Sequence, residues 1–174
     1  MTQRADTVVI GLGDVVLSDD GLGVHAVRRL RMRAGITDAV EVIEGGTAGS
    51  LLARLARARR AIIVDAIDAG LPPGELVRLE GRDWTNAMSI RMTPHEVALE
   101  DLLGAAQLNG AWPEQLVLLG AQPGLITLGT EPSPAVAARL DALVAAIEAE
   151  LSAWNVHHAG TPCTNSRSLA ASST

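Results

Sequence analysis

Thr7-Val8-Val9-Ile10 runs straight into Gly11-Leu12-Gly13, and this stretch carries the fold. An unbroken β-branched apolar run closed by glycines is the mark of a strand buried on both faces, as in parallel sheets covered by helices. Val40 to Ile43 before Gly45-Gly46-Thr47, Ala61 to Val64 closed by Asp65, and Gln115 to Leu119 are further strand candidates. Glu75 to Leu79, behind Pro72-Pro73-Gly74, reads as an edge strand. Between them lie helical periods at Leu22 to Ala34 and Ala48 to Ala58. Thr93-Pro94-His95-Glu96 has the form of a capping box opening a helix with apolar Leu99, Leu102, Leu103 and Ala106. Ser133-Pro134 opens the last helix, with Val136, Leu140, Leu143, Val144, Ile147 and Leu151 as its stripe. Alternating strands and helices predict an α/β three-layer sandwich, a twisted and mostly parallel sheet with helices on both faces. One domain is expected over residues 1–153, with a disordered tail over 154–174, where Ser, Thr and small residues replace the periodicity.

The composition narrows the function. Of 174 residues, 14 are cationic, all of them arginine, and 20 are acidic, giving a net charge of −6. That balance argues against a nucleic-acid partner. A single cysteine, Cys163, makes no internal disulfide, and it lies in the expected tail without an evident base partner. The polar start at Met1 to Asp6 and the lack of any long apolar run predict a cytoplasmic protein without a membrane partner. Monomer is the default expectation.

Ligands in open α/β sheets bind beyond the carboxyl ends of the strands, so the residues after each strand are the ones to weigh. Gly11 to Gly23 is not a dinucleotide fingerprint, because the third glycine falls at Val16, and it lacks the Gly-Lys-Ser/Thr of a phosphate loop. Asp14, Asp19 and Asp20 also repel an anion. Two readings stand for Asp19 and Asp20: a cap on the helix that follows, or part of a site. Asp65 is either a turn aspartate or a carboxylate facing the crevice, since burying it unpartnered is costly. His95, in a first helical turn whose dipole disfavours imidazolium, is either a surface residue or a neutral ligand or base. Glu96 is explained by the capping box. His25 and the pair His157-His158 have weaker claims. Two aspartates and a histidine form a hard ligand set suited to nickel, zinc or manganese.

Four segments in order resemble the nickel–iron hydrogenase maturation endopeptidases. They are Gly11-Leu12-Gly13-Asp14 with Ser18-Asp19-Asp20-Gly21, Glu44 with Gly45-Gly46-Thr47, Val64-Asp65-Ala66-Ile67, and Thr93-Pro94-His95 continuing to Asp101-Leu102-Leu103. The resemblance spans about Thr7 to Leu151. It implies an enzyme that removes the C-terminal extension of the hydrogenase large-subunit precursor after nickel insertion. It also implies that Asp20, Asp65 and His95 contact that nickel, as metal and catalytic residues, with Asp14, Glu44, Gly45, Gly46 and Thr47 at the substrate. The nickel then comes within the precursor, held by the precursor's cysteines, rather than residing in this chain. Asp14 stands where the family commonly has asparagine. Two further readings use the same residues: a non-catalytic chaperone inspecting the precursor's nickel site, and a general metallopeptidase carrying its own metal.

Overall fold

The computed structural model describes residues 6–33, 39–45, 48–80, 97–110 and 112–156. Five strands form one sheet: β1 (Thr7–Gly11), β2 (Val40–Glu44), β3 (Arg60–Ala66), β4 (Leu76–Glu80) and β5 (Gln115–Ala121), in the order β2-β1-β3-β5-β4. All neighbours are parallel except β4, which runs antiparallel to β5 at the edge. The edge position follows from the sequence, since β4 alternates half-buried and exposed residues while β1, β3 and β5 are buried almost throughout.

Side chains along a strand alternate between faces, so each apolar run feeds two cores. On one face Val9, Ile62, Val64, Val117 and Leu119 pack with Leu22, Ala26, Val27 and Leu30 of α1 (Leu22–Met32). The last helix, α5 (Leu140–Ala153), joins them there through Leu143, Val144, Ile147 and Leu151. On the other face Val8, Ile10, Ala61, Ile63, Leu116 and Leu118 meet Leu51 and Leu55 of α2 (Ala48–Leu55). Leu103 and Ala106 of α3 (Val97–Leu108) complete that second core. The three-layer α/β sandwich is therefore as the strand and helix patterns predict. The Thr93-Pro94-His95-Glu96 cap lies outside the described residues.

Two details differ from the sequence reading. The helix opening at Ser133-Pro134 is not continuous: a single turn, α4 (Pro134–Ala137), is separated from α5. At the break Arg139 N–H tightens onto the Val136 carbonyl (2.9 Å), while the Arg139 guanidinium donates to the Gly74 carbonyl (3.2 Å). Packing also continues past Ala153. Asn155 takes a left-handed conformation (φ 53°), with its N–H on the Ser152 carbonyl and the Val156 N–H on the Leu151 carbonyl. That is a Schellman cap, which brings the chain back so that Val156 is buried in the first core. Arg60 secures the same turn by donating to the Trp154 carbonyl (2.7 Å).

Candidate functional site

The parallel strands β1, β2, β3 and β5 all end at one edge, where the segments after them meet. After β1 the chain turns sharply: Leu12 N–H donates to the Val64 carbonyl of β3 (2.8 Å), and Gly13 sits at φ 101°. A side chain at Gly13 would place its Cβ 1.8 Å from the Asp20 carbonyl oxygen, so only glycine allows this approach. Residues Ser18–Gly21 then make one 3-10 turn leading into α1.

Neither aspartate of that turn caps the helix. Gly21 is the N-cap of α1, with no side-chain hydrogen bond to it. Asp20, 2% exposed, instead turns back and accepts from the Asp14 N–H (2.7 Å), fixing the loop that leaves β1. Asp14 in turn accepts from Val16 N–H through Oδ1 (3.0 Å), a bond that an asparagine Oδ1 makes equally well. The Asp14 departure is thus neutral for this turn.

Asp19, fully buried, does something different. Its Oδ2 accepts from Gly124 N–H, Leu125 N–H and the Ser133 hydroxyl, each at 2.8 Å, and its Oδ1 from Ser133 N–H at 2.6 Å. This carboxylate ties the segment after β5 to the segment after β1. It is an anchor with its acceptor positions taken.

Asp65 is the penultimate residue of β3 and 9% exposed. Its Oδ1 accepts from Ala66 N–H (2.8 Å), the local bond of a turn aspartate, yet the group remains buried at the strand ends. Burial pushes its carboxyl up to about 7; the Ala66 N–H opposes the rise and the nearby charge of Asp20 adds to it. Among the described residues no arginine lies within ion-pair distance of Asp20 or Asp65. Asp20 and Asp65 are thus two buried carboxyl groups at one sheet edge, near enough for the charge of one to bear on the other.

Glu44, at the end of β2, is bridged by Arg28 (2.9 Å) and Arg31 of α1, which orients the segment toward Gly45. Gly45 N–H donates to the Gly11 carbonyl (2.7 Å), so the turns after β1 and β2 are coupled. Gly46, Thr47 and His95 lie outside the described residues, and no cluster of three metal-ligating side chains is found among those described.

One residue of this edge escapes the sequence reading. Gln122, directly after β5 and 7% exposed, accepts from Ala69 and Leu71 N–H (2.8 and 3.1 Å) and donates to Asp68 (2.9 Å) and the Pro123 carbonyl (3.2 Å). All four bonding positions of its amide are used, and they shape the loop leaving Asp65. A polar residue after an apolar strand is the same signal that marks Asp65.

Fold and site together define an α/β protein whose strand ends carry two buried carboxyl groups, Asp20 and Asp65. A family model described as hydrogenase maturation protease matches residues 24–150. A hydrogenase expression/formation protein of Rhodobacter capsulatus is 36% identical over 152 residues, covering 86% of this chain and 72% of the relative. The counterpart of Bradyrhizobium diazoefficiens is 38% identical over 120 residues, covering 67% of this chain and 62% of its own length. The Escherichia coli hydrogenase 2 maturation protease is 32% identical over 136 residues, covering 77% and 83%. The solved hydrogenase maturating endopeptidase HybD of E. coli superposes with a TM-score of 0.78 at 29% identity, covering 85% of this chain and 93% of that one. The chain belongs to the hydrogenase maturation protease family, and it is a hydrolase. Among its described residues no helix is long and apolar enough to cross a membrane.

Proposed function

We propose that this protease removes the C-terminal extension of a nickel–iron hydrogenase large-subunit precursor, and that it recognises the nickel already inserted there through Asp20, Asp65 and His95. The observation carrying this reading is the pairing of two buried carboxylates, Asp20 and Asp65, at one sheet edge with no cationic partner among the described residues. A metal held by the precursor's own thiolates supplies that partner, because it brings its soft ligands with it and leaves room for hard oxygen and nitrogen donors. Processing then depends on metal loading, since an empty precursor offers the carboxylates nothing to bind. With the nickel held, the scissile bond is fixed beside the site and a carboxylate takes the proton of the attacking water. The nickel is part of the substrate, and the chain needs no resident metal.

The test is substitution. Asp20→Asn, Asp65→Asn and His95→Ala are each expected to slow processing of nickel-loaded precursor by about a hundredfold or more, the usual contribution of a positioned acid–base or ligand group. Thermal melts run beside the assays show that the fold survives. Unaltered processing in all three variants refutes the site.

A further inference from the structure

Seven large apolar side chains are exposed among the described residues, and their distribution is uneven. Five of them, Val16, Leu71, Leu125, Ile126 and Leu128, sit on the segments that leave β1, β3 and β5 at the edge bearing Asp20 and Asp65. The other two, Met32 and Leu108, end helices at the opposite edge. Leu128 is 86% exposed and Val16 47%.

These apolar residues are held outward by polar bonds beneath them. Leu17 and Gly129 form a parallel bridge, with Ser18 N–H on the Gly129 carbonyl (2.7 Å) and Gly129 N–H on the Val16 carbonyl (3.0 Å). The Ser18 hydroxyl donates to the Thr127 carbonyl (2.8 Å), and Asp19 grips Gly124, Leu125 and Ser133 from inside. Leu71 is fixed from the other side by Gln122. Leu125, whose N–H rests on the Asp19 carboxylate, and Ile126 and Leu128 on the same segment keep apolar side chains in water, which costs solvation unless a partner covers them.

We infer that Val16, Leu71, Leu125, Ile126 and Leu128 form an apolar docking collar around the carboxylate site, and that its occupant is the surface of the hydrogenase precursor surrounding its nickel. The inference rests on the proposed function, because charge complementarity selects the occupant. On that reading Asp20 and Asp65 at this edge take the precursor's cation, and the collar takes the apolar protein around it. A second copy of this chain seated on the same edge brings carboxylates against carboxylates. An anionic membrane meets the same repulsion, reinforced by the net charge of −6.

The experiment measures direct binding of purified nickel-loaded precursor to the full chain and to two double variants. Val16→Glu with Leu128→Glu is expected to raise Kd about tenfold or more with an unchanged melting temperature, because charge is placed in an apolar contact. Met32→Glu with Leu108→Glu, at the far edge, is expected to stay within about twofold of the unsubstituted chain. If the glutamate pair lowers the melt, Val16→Ser with Leu128→Ser gives the same reading with less perturbation. A Kd equal to that of the unsubstituted chain in the collar variants overturns the collar, even where the unsubstituted chain cleaves normally. Self-association, or pelleting with phosphatidylglycerol vesicles, that is abolished by the collar variants assigns the surface to another occupant and overturns it too. Failure of the unsubstituted chain to cleave the loaded precursor instead refutes the reading of the site, and the occupant falls with it.

Discussion

Replacing Asp65 by asparagine is expected to stabilise the metal-free protein, and to do so more strongly as pH rises. The carboxyl ionises at about 7 in the folded chain against an ordinary value of 3.8, chiefly because it is buried. A raised value means that the folded state holds the proton more tightly than the unfolded state. The group's favourable contribution is complete below about 3.8 and is lost as pH climbs through about 7. The penalty accumulates at about 1.4 kcal/mol per pH unit, reaching a ceiling of about 4 kcal/mol by pH 8. Asparagine keeps the Oδ1 acceptor for the Ala66 N–H and never ionises, so it escapes the penalty. For a chain of this size 4 kcal/mol corresponds to about 8–16 °C in melting temperature. Urea unfolding of both proteins at pH 4 and pH 8, with chelator present, gives the comparison. The advantage of Asp65→Asn over the unsubstituted chain should grow by about 2–4 kcal/mol between the two. Charge effects common to both proteins cancel in that difference. A pH-independent difference, or a variant that is the less stable at pH 8, refutes the burial argument.

Asp19→Ala should lower stability by about 3–5 kcal/mol in urea titrations, because Gly124, Leu125 and Ser133 lose their shared acceptor in a buried place; a loss under about 1 kcal/mol contradicts its role as anchor. Gly23→Ala sets two effects against each other: helix propensity favours alanine by about 1 kcal/mol, but the new Cβ would lie 2.1 Å from the Val64 carbonyl oxygen. Backbone overlap should win, with a net loss of about 1–3 kcal/mol in the same titration, and a stabilised variant shows that α1 does not need its close seat on β3.

The layers of this fold are legible because its strands are short apolar runs with opposite faces feeding two cores, as Val9 and Ile10 illustrate. Asp65 is buried at the end of β3 for the same reason, since a carboxylate closing such a run has few places to go. What pattern leaves open is tertiary. Asp19 and Asp20 are adjacent and chemically alike, yet Asp19 bonds to residues more than a hundred positions away while Asp20, among the described residues, bonds to Asp14. Capping was the local solution for both, and the approach of the segment after β5 offered Asp19 better partners. At the break before Leu140, Arg139 reaches Gly74, a contact that helical periodicity does not contain. Gln122 carries the same signal after β5 that Asp65 carries in β3, and its amide bonds show why that position matters. Helical periodicity stops at Ala153, whereas Asn155 and Val156 make the cap that closes the helix.

The central claim is that nickel in the substrate licenses cleavage, and the direct measurement is the intact mass of the precursor after incubation with the purified, metal-free protein. Nickel-loaded precursor should lose its C-terminal extension while nickel-free precursor keeps its full mass. Equal cleavage of both, or cleavage of neither, contradicts the account.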